Sequence, residues 1–159
     1  MKIIELTQNK LALVDDADFP HLNKFKWHAF KRNGGRKFYA ARSSKISDGK
    51  FRQILMHTEI MKTPKGKDTD HIDGFGLNNQ KHNLRVCTRS QNLMNQGKQK
   101  SNTSGFKGVS WHKGHKRWGA RIYYSRKNKQ LGYFKTKTEA YEAYCLACEK
   151  YHGEFAKIS

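Results

Sequence analysis

Acidic residues are scarce in this chain of 159 residues, and none occurs between Asp73 and Glu139. The whole sequence has 32 Lys and Arg against 13 Asp and Glu, which gives a formal net charge of +19. A charge of this size on a short chain predicts a polyanionic partner. Because tyrosine, tryptophan and phenylalanine are interleaved with the charges of the acid-free stretch, we expect that stretch to fold.

Long apolar runs are also missing, and the opening residues Met1 to Ile4 meet Glu5 at once. We therefore expect no transmembrane segment, no signal peptide and no membrane partner, and a soluble protein of the cytoplasm. Cysteine is rare, and its count of three is odd, which argues against a disulfide framework. The length allows one ordinary domain or two to three small ones, and it leaves the oligomeric state open.

The stretch from residue 69 to residue 95 gathers a carboxylate, a histidine and spaced asparagines. Asp70 and His71 lie in a short run typical of a strand, which ends at the turn formers Asp73 and Gly74. Residues 84 to 87 predict a returning strand. The following Thr88-Arg89-Ser90-Gln91 is a capping box, so a helix should begin near Arg89 and carry Asn92 and Asn95.

The side chains of this strand, loop, strand and helix unit could perform phosphodiester hydrolysis with one divalent cation. The oxygens of Asp70 and Asn92 suit magnesium or manganese. A neutral His71 can take a proton from an attacking water, because the pKa of a free imidazole is near 6.5. The side-chain oxygen of Asn83 is a candidate to hold the other ring nitrogen of His71.

Three short motifs follow one another in a fixed order, Asp-His at 70 and 71, Asn-Leu-Arg at 83 to 85, and Gln-Asn at 91 and 92. On them, residues 56 to 95 resemble the HNH endonuclease family, particularly its phage and intron-encoded members. The resemblance implies a ββα-metal fold in which Asp70 and Asn92 hold the metal, His71 is the general base and Asn83 orients it. Asn95 competes with Asn92 for the metal role, and spacing favours Asn92.

A purely structural interpretation remains open for these residues. Pairs of Asp and His, and loops rich in Asn, often only close turns by satisfying their own backbone. That interpretation is strong for any one residue of the set, and weak for the ordered set taken together.

The amino-terminal part predicts a small β-rich module. Residues 3 to 14 suit two strands around a turn at Gln8 and Asn9, and a short helix should contain Phe19 to Leu22. Asn33, Gly34 and Gly35 signal a hairpin turn. Apolar spacing in residues 51 to 62 predicts a helix that leads into the nuclease unit.

The carboxy-terminal part changes character after a linker-like stretch at 97 to 102. Aromatic-rich runs at 106–112, 117–124 and 130–134 predict a three-stranded antiparallel sheet, and a capping box at Thr136 and Glu139 begins a helix that packs on it. The order Phe-Lys-Gly-Val, Trp-Gly-Ala-Arg-Ile, Leu-Gly-Tyr-Phe and Glu-Ala-Tyr resembles the plant ethylene-response-factor DNA-binding domain. That resemblance implies DNA contacts at Lys107, Arg117, Trp118 and Arg121, with Trp111 as a neighbour. Arg85 of the nuclease unit is a further candidate DNA contact.

We therefore predict an α+β fold with four segments, namely an amino-terminal module (1–50), an HNH ββα-metal core (51–96), a linker (97–102) and an ethylene-response-factor-like domain (103–159). The predicted function is a metal-dependent endonuclease acting on double-stranded DNA, a homing endonuclease of phage type. A nucleic-acid-binding protein with a vestigial nuclease site, an RNA-directed nuclease and a transcription factor are the alternatives, since charge alone does not distinguish DNA from RNA.

Overall fold

The structure, a computed structural model, describes residues 1–32, 35, 37–99, 101–125 and 127–158. It is a mixed α+β protein of small antiparallel sheets, which confirms the predicted fold class. The chain divides into two compact units, Met1–Thr88 and Arg89–Ser159. Asn33 and Gly34 of the predicted hairpin turn lie outside the described residues. Along the described part of the chain, no helix combines the length and the apolar character needed to cross a membrane.

The first unit opens with a hairpin of β1 (Lys2–Leu6) and β2 (Lys10–Val14), followed by the short helix α1 (Phe19–Leu22). Gln8 and Asn9 have φ angles of 62° and 52°, the left-handed conformation that a tight hairpin turn requires. Both elements match the sequence prediction. The hairpin buries one face in the core of the unit, which includes Val14, Leu22, Trp27, Met56 and Leu77.

A second sheet of the first unit contains β3 (His28–Lys31), β4 (Phe38–Lys45) and β5 (Phe51–Leu55), in that order. Only Met56–Ile60, α2, is helical, so the predicted helix over 51–62 is wrong in its first half. Asp48 and Gly49, with φ angles of 56° and 71°, form a tight turn that folds β5 back onto β4. Pairing with β4 therefore overrides the helical spacing of the apolar residues.

The first unit ends in a hairpin of β6 (Asp68–His71) and β7 (Leu84–Cys87). Both strands were predicted from sequence. A loop joins them and closes with one turn of 3₁₀ helix at Lys81–Asn83. Backbone hydrogen bonds tie this loop to β2, because Leu13 donates to the carbonyl of Leu77 and Asn79 donates to the carbonyl of Leu13.

The second unit begins with α3 (Arg89–Met94), then forms a sheet of β8 (Val109–His112), β9 (Arg117–Tyr124) and β10 (Lys127–Phe134). β9 lies in the middle of the sheet. The long helix α4 (Lys137–His152) packs on one face, and the Thr136 hydroxyl accepts a hydrogen bond from the Glu139 amide at its start. The predicted sheet, helix and cap are thus all present.

Candidate functional site

The hairpin of β6 and β7 positions Asp70 and His71, the two residues that the sequence places at the centre of the site. Successive strand residues point to opposite faces, so the two side chains leave β6 on different sides. Both are nevertheless buried, with 8% of Asp70 and 5% of His71 exposed. Groups that could exchange protons or hold a cation are thus shielded from bulk water.

Asp70 is ion-paired with Arg85, which lies directly opposite it in the register of β6 and β7. Nε and one terminal nitrogen of Arg85 lie 3.2 and 3.0 Å from Oδ2 of Asp70. The two side chains are only 9% and 13% exposed. The guanidinium neutralises the buried carboxylate, so Arg85 has a role inside the protein, and its predicted DNA contact stays a prediction.

His71 is held by an amide, and the amide belongs to Asn79. Nε2 of His71 lies 3.3 Å from Oδ1 of Asn79. Asn79 is fully buried, and its Nδ2 donates to the Leu77 carbonyl at 3.1 Å, which turns its oxygen toward the imidazole. This contact assigns the ring proton to Nε2 and the lone pair to Nδ1.

Asn83, which the resemblance assigns to orienting His71, closes the loop instead. Its Oδ1 accepts from the backbone of Asp73 at 3.0 Å, and its Nδ2 donates to Asp73 Oδ1 at 3.0 Å and to the Asn78 carbonyl at 2.8 Å. Asn79 takes the position beside the imidazole because the backbone pairing of its segment with β2 carries it there. The sequence contains both asparagines, but only the loop path distinguishes them.

Two further rings surround His71. His57 of α2 meets it edge to face with the centroids 4.8 Å apart, and Tyr39 of β4 lies 5.9 Å away. Burial lowers the pKa of His71, although the Asn79 hydrogen bond opposes this effect. Burial also lowers the pKa of His57, to about 3, with the neighbouring His71 contributing. Both imidazoles are therefore neutral at physiological pH.

Asn92 lies in α3 of the second unit, whereas Asp70 lies in β6 of the first unit. Within the described ranges, no three or more His, Cys, Asp or Glu side chains form a cluster able to hold a metal ion. The predicted site does not require such a cluster, since magnesium often uses one or two protein oxygens and several waters. A carboxylate and an amide oxygen fit that chemistry, and their shared metal stays a prediction.

The sheet of the second unit has a helix-facing side and an outer side. Ala120 and Ile122 of β9 are buried beneath α4, so Arg117, Arg121 and Tyr123 point the other way. We call this side the outer face, and define it by His112, Arg117, Gly119, Arg121, Tyr123, Asn128, Gln130 and Tyr133. Both predicted arginine contacts are exposed on it.

The two predicted tryptophan contacts lie on the opposite side. Trp118 alternates with Ala120 and packs against the cluster beneath α4, while Trp111, directly opposite Trp118 in register, meets its ring at 5.3 Å. Alternation along the strand thus places both rings on the helix-bearing side, contrary to the roles that the resemblance implies. Trp111 is 47% exposed because it lies near the end of β8.

Lys107, whose predicted DNA contact stays a prediction, has a partner within the second unit. Its Nζ donates to the Met94 carbonyl at 2.6 Å, and burial lowers the pKa of its ammonium group. The carbonyl lies at the end of α3, where a cation is favourable. Lys107 therefore holds elements of the second unit together, which explains why it is only partly exposed.

Sequence reasoning missed the aromatic and polar residues that share the outer face with the arginines. Tyr133 stands opposite Gly119 and contacts the rings of His112 and His115 at 5.0 and 4.1 Å. Gln130 stands opposite Arg121. The signal that could have found them is the period-two alternation of β9, which sets the buried side once Ala120 is assigned to it.

The fold therefore defines an α+β protein with a buried carboxylate and imidazole in one unit and an exposed basic face in the other. Over 96 residues the chain is 36% identical to Protein 3.8 of Escherichia phage T7, and the aligned region covers 60% of this chain and 78% of the phage protein. The chain belongs to the family of this phage protein. No protein-family model matches the chain, and no solved structure matches it.

Proposed function

We propose that the chain is a metal-dependent DNA endonuclease of the HNH type, and specifically a homing endonuclease. The observation that carries the proposal is His71, a buried imidazole that is bonded to Asn79 through Nε2 and lies beside Asp70 in β6. A buried, oriented and neutral imidazole is the form that a general base needs at physiological pH.

The chain's own residues would move one proton. The amide of Asn79 keeps the ring proton on Nε2, so Nδ1 carries the lone pair that accepts a proton from the attacking water. Burial keeps the pKa of His71 below its ordinary value, which preserves this acceptor. The packed rings of His57 and Tyr39 restrict the imidazole to one orientation.

Asp70 and Asn92 remain the proposed metal ligands. Magnesium or manganese, when bound, would polarise the scissile phosphate and offset the charge on the leaving 3′ oxygen. By resemblance to the HNH family, the products would carry a 5′ phosphate and a 3′ hydroxyl. Arg85 would hold the Asp70 carboxylate in position.

The outer face would hold the enzyme on duplex DNA. Arg117 and Arg121 would reach bases and phosphates in the major groove, which admits a β-ribbon, and Tyr123 and Gln130 would extend the contact. The second unit supports this role, because its sequence has 15 Lys and Arg against 4 Glu and no Asp. A phage-encoded enzyme of this kind would act in the host cytoplasm.

One observation favours a second candidate, a nucleic-acid-binding protein that does not cleave. Oδ2 of Asp70 is engaged by Arg85, and a carboxylate neutralised within the fold is a weaker metal ligand. Such a protein would use the outer face in the same way.

Incubation of supercoiled plasmid with the protein and Mg²⁺, with and without a chelator, separates the two candidates. The endonuclease would convert supercoiled circles to nicked or linear forms, and both the chelator and His71→Ala would stop the conversion. Intact circles with Mg²⁺ and with Mn²⁺, together with retarded migration of a duplex in a native gel, would support the binding protein.

A further inference from the structure

The loop between β6 and β7 carries two exposed apolar side chains beside the proposed general base. Ile72 and Phe75 are 45% and 55% exposed. The loop begins with a turn in which the Gly74 amide donates to the His71 carbonyl at 2.9 Å, so Phe75 follows directly after the turn. An aromatic ring therefore stands in solvent four residues from His71.

The backbone that carries Phe75 is fixed on both sides. Its amide donates to Oδ1 of Asp73 at 2.7 Å, and its carbonyl accepts from the amide of Asn78 at 3.0 Å. The Nδ2 groups of Asn78 and Asn83 also donate to the Asp73 carboxylate, at 2.9 and 3.0 Å. Burial opposes ionisation of Asp73, but these hydrogen bonds outweigh it and lower its pKa.

The base of the loop is packed against the rest of the first unit. A Cβ on Gly76 would clash with the Phe38 carbonyl oxygen and would lie 2.7 Å from the Tyr39 ring. The next residue, Leu77, is 4% exposed and belongs to the core. The loop is thus anchored next to Phe75, so the ring is held outward by a rigid support.

The positive charge of the first unit indicates which class of partner the Phe75 ring would meet. The sequence of the first unit has 17 Lys and Arg against 9 Asp and Glu, and Lys37 acts electrostatically on His71. The nearest acid of the loop, Asp73, is already satisfied by amide donors within the loop. A suitable partner is a polyanion that also offers an apolar surface to the Phe75 ring. Duplex DNA offers such a surface between its base pairs.

We propose that Phe75 is a wedge that inserts between adjacent base pairs of duplex DNA close to the scissile phosphate. The proposal rests on the endonuclease function and deepens it. Rigid apolar side chains of this kind enter base steps from the minor groove and partly unstack them. Because the loop is already ordered, insertion would not require the backbone of Phe75 to be fixed on binding. The wedge would select deformable base steps at the cleavage position.

Permanganate tests the proposal, because it oxidises thymines that have lost their stacking. The protein is His71→Ala, which separates binding from cleavage, and the probe is a duplex that this variant selects from a random-sequence pool. We expect enhanced thymine oxidation at one step of the bound duplex, loss of the enhancement with Phe75→Ala added, and retention with Phe75→Leu. Phe51→Ala is the matched control, since Phe51 is 68% exposed on β5 of the same unit.

The outcomes distinguish the wedge from the endonuclease function. A bound duplex with no enhanced thymine, or with an enhancement that survives Phe75→Ala, would overturn the wedge and leave the endonuclease proposal standing. Failure to select any duplex would overturn both proposals. Circular dichroism of each variant verifies folding, and an enhancement lost equally with Phe51→Ala would show a general effect of the substitutions and overturn the wedge.

Discussion

The hairpin site of the first unit and the outer face of the second unit use ionisable residues in opposite ways. At the hairpin, Asp70 and His71 are buried and held by Arg85 and Asn79. On the outer face, the arginines are exposed to solvent. Catalysis needs oriented groups with shifted pKa values, whereas binding to a polyanion needs accessible charge, so under the endonuclease proposal the two regions would serve different steps.

The predicted DNA contacts also differ in their surroundings. Arg85 and Lys107 have partners inside their own units, the Asp70 carboxylate and the Met94 carbonyl. Arg117 and Arg121 stand on the side of the sheet that faces away from α4. Arg117 and Arg121 are therefore the predicted contacts whose strand position leaves them accessible to a polyanion.

The largest expected effect comes from breaking the buried ion pair. Asp70→Ala removes the carboxylate from a buried ion pair with Arg85, which should lower the free energy of unfolding by about 3 to 5 kcal/mol. Cleavage of plasmid should be lost as well. Urea titration followed by circular dichroism measures the stability.

Replacing both partners separates structure from chemistry. Asp70→Leu combined with Arg85→Met should recover most of the lost stability, because apolar residues of similar volume often replace a buried pair at little cost. Cleavage should stay absent. A double variant that cleaves plasmid would show that Asp70 has only a structural role.

The next effect is a pH dependence of stability at the hairpin site. The pKa of His57 falls from 6.5 to about 3 on folding, so between these values the unfolded chain binds a proton that the folded chain excludes. The free energy of unfolding should therefore decrease as pH falls from 6.5 toward 3, and His57 should have no such effect above that range. His57→Phe should reduce the dependence of the free energy of unfolding on pH in this range, as measured by urea titrations at several pH values. An equally steep pH dependence in His57→Phe would contradict the assignment.

A smaller loss of stability is expected from crowding the loop. Gly76→Ala places a Cβ against the Phe38 carbonyl and the Tyr39 ring, and overpacking of this kind costs about 1 to 3 kcal/mol. Gly97→Ala is the control, because no atom of the described chain lies within 4 Å of its added Cβ. Equal unfolding midpoints for the two variants would mean that the loop shifts to accommodate the added methyl group at little cost.

The smallest effects concern binding at the outer face. Arg121→Ala should weaken specific duplex binding by about 1 to 3 kcal/mol if the guanidinium reads a base. Trp118→Phe, which keeps packing beneath α4, should leave the affinity unchanged. Fluorescence anisotropy measures the duplex affinity of both variants. A loss of affinity in Trp118→Phe alone would indicate that the helix-bearing side of the sheet contacts DNA.

Sequence predicts well those elements whose signals lie within a few neighbouring residues. The turn at Gln8 and Asn9, the cap at Thr136 and the two strands around the site all match. Each of these elements depends on local backbone geometry or on helix capping, and residues distant in the sequence do not alter either of these.

Sequence fails where a distant partner decides. Phe51 becomes part of a strand because β4 pairs with it, and Asn79 replaces Asn83 beside His71 because β2 draws its segment inward. Trp118 packs inward because α4 covers that side of β9. In each case the residue type is compatible with both roles, and only tertiary packing selects one.

The most direct measurement compares cleavage rate and duplex affinity in two variants, His71→Ala and Arg121→Ala. If chemistry and binding are separate, His71→Ala will lose cleavage by about 10² to 10⁴-fold and keep its affinity within about 1 kcal/mol. Arg121→Ala will lose affinity and still cleave at saturating DNA. Parallel loss of both properties in both variants would contradict the division of labour between the two regions.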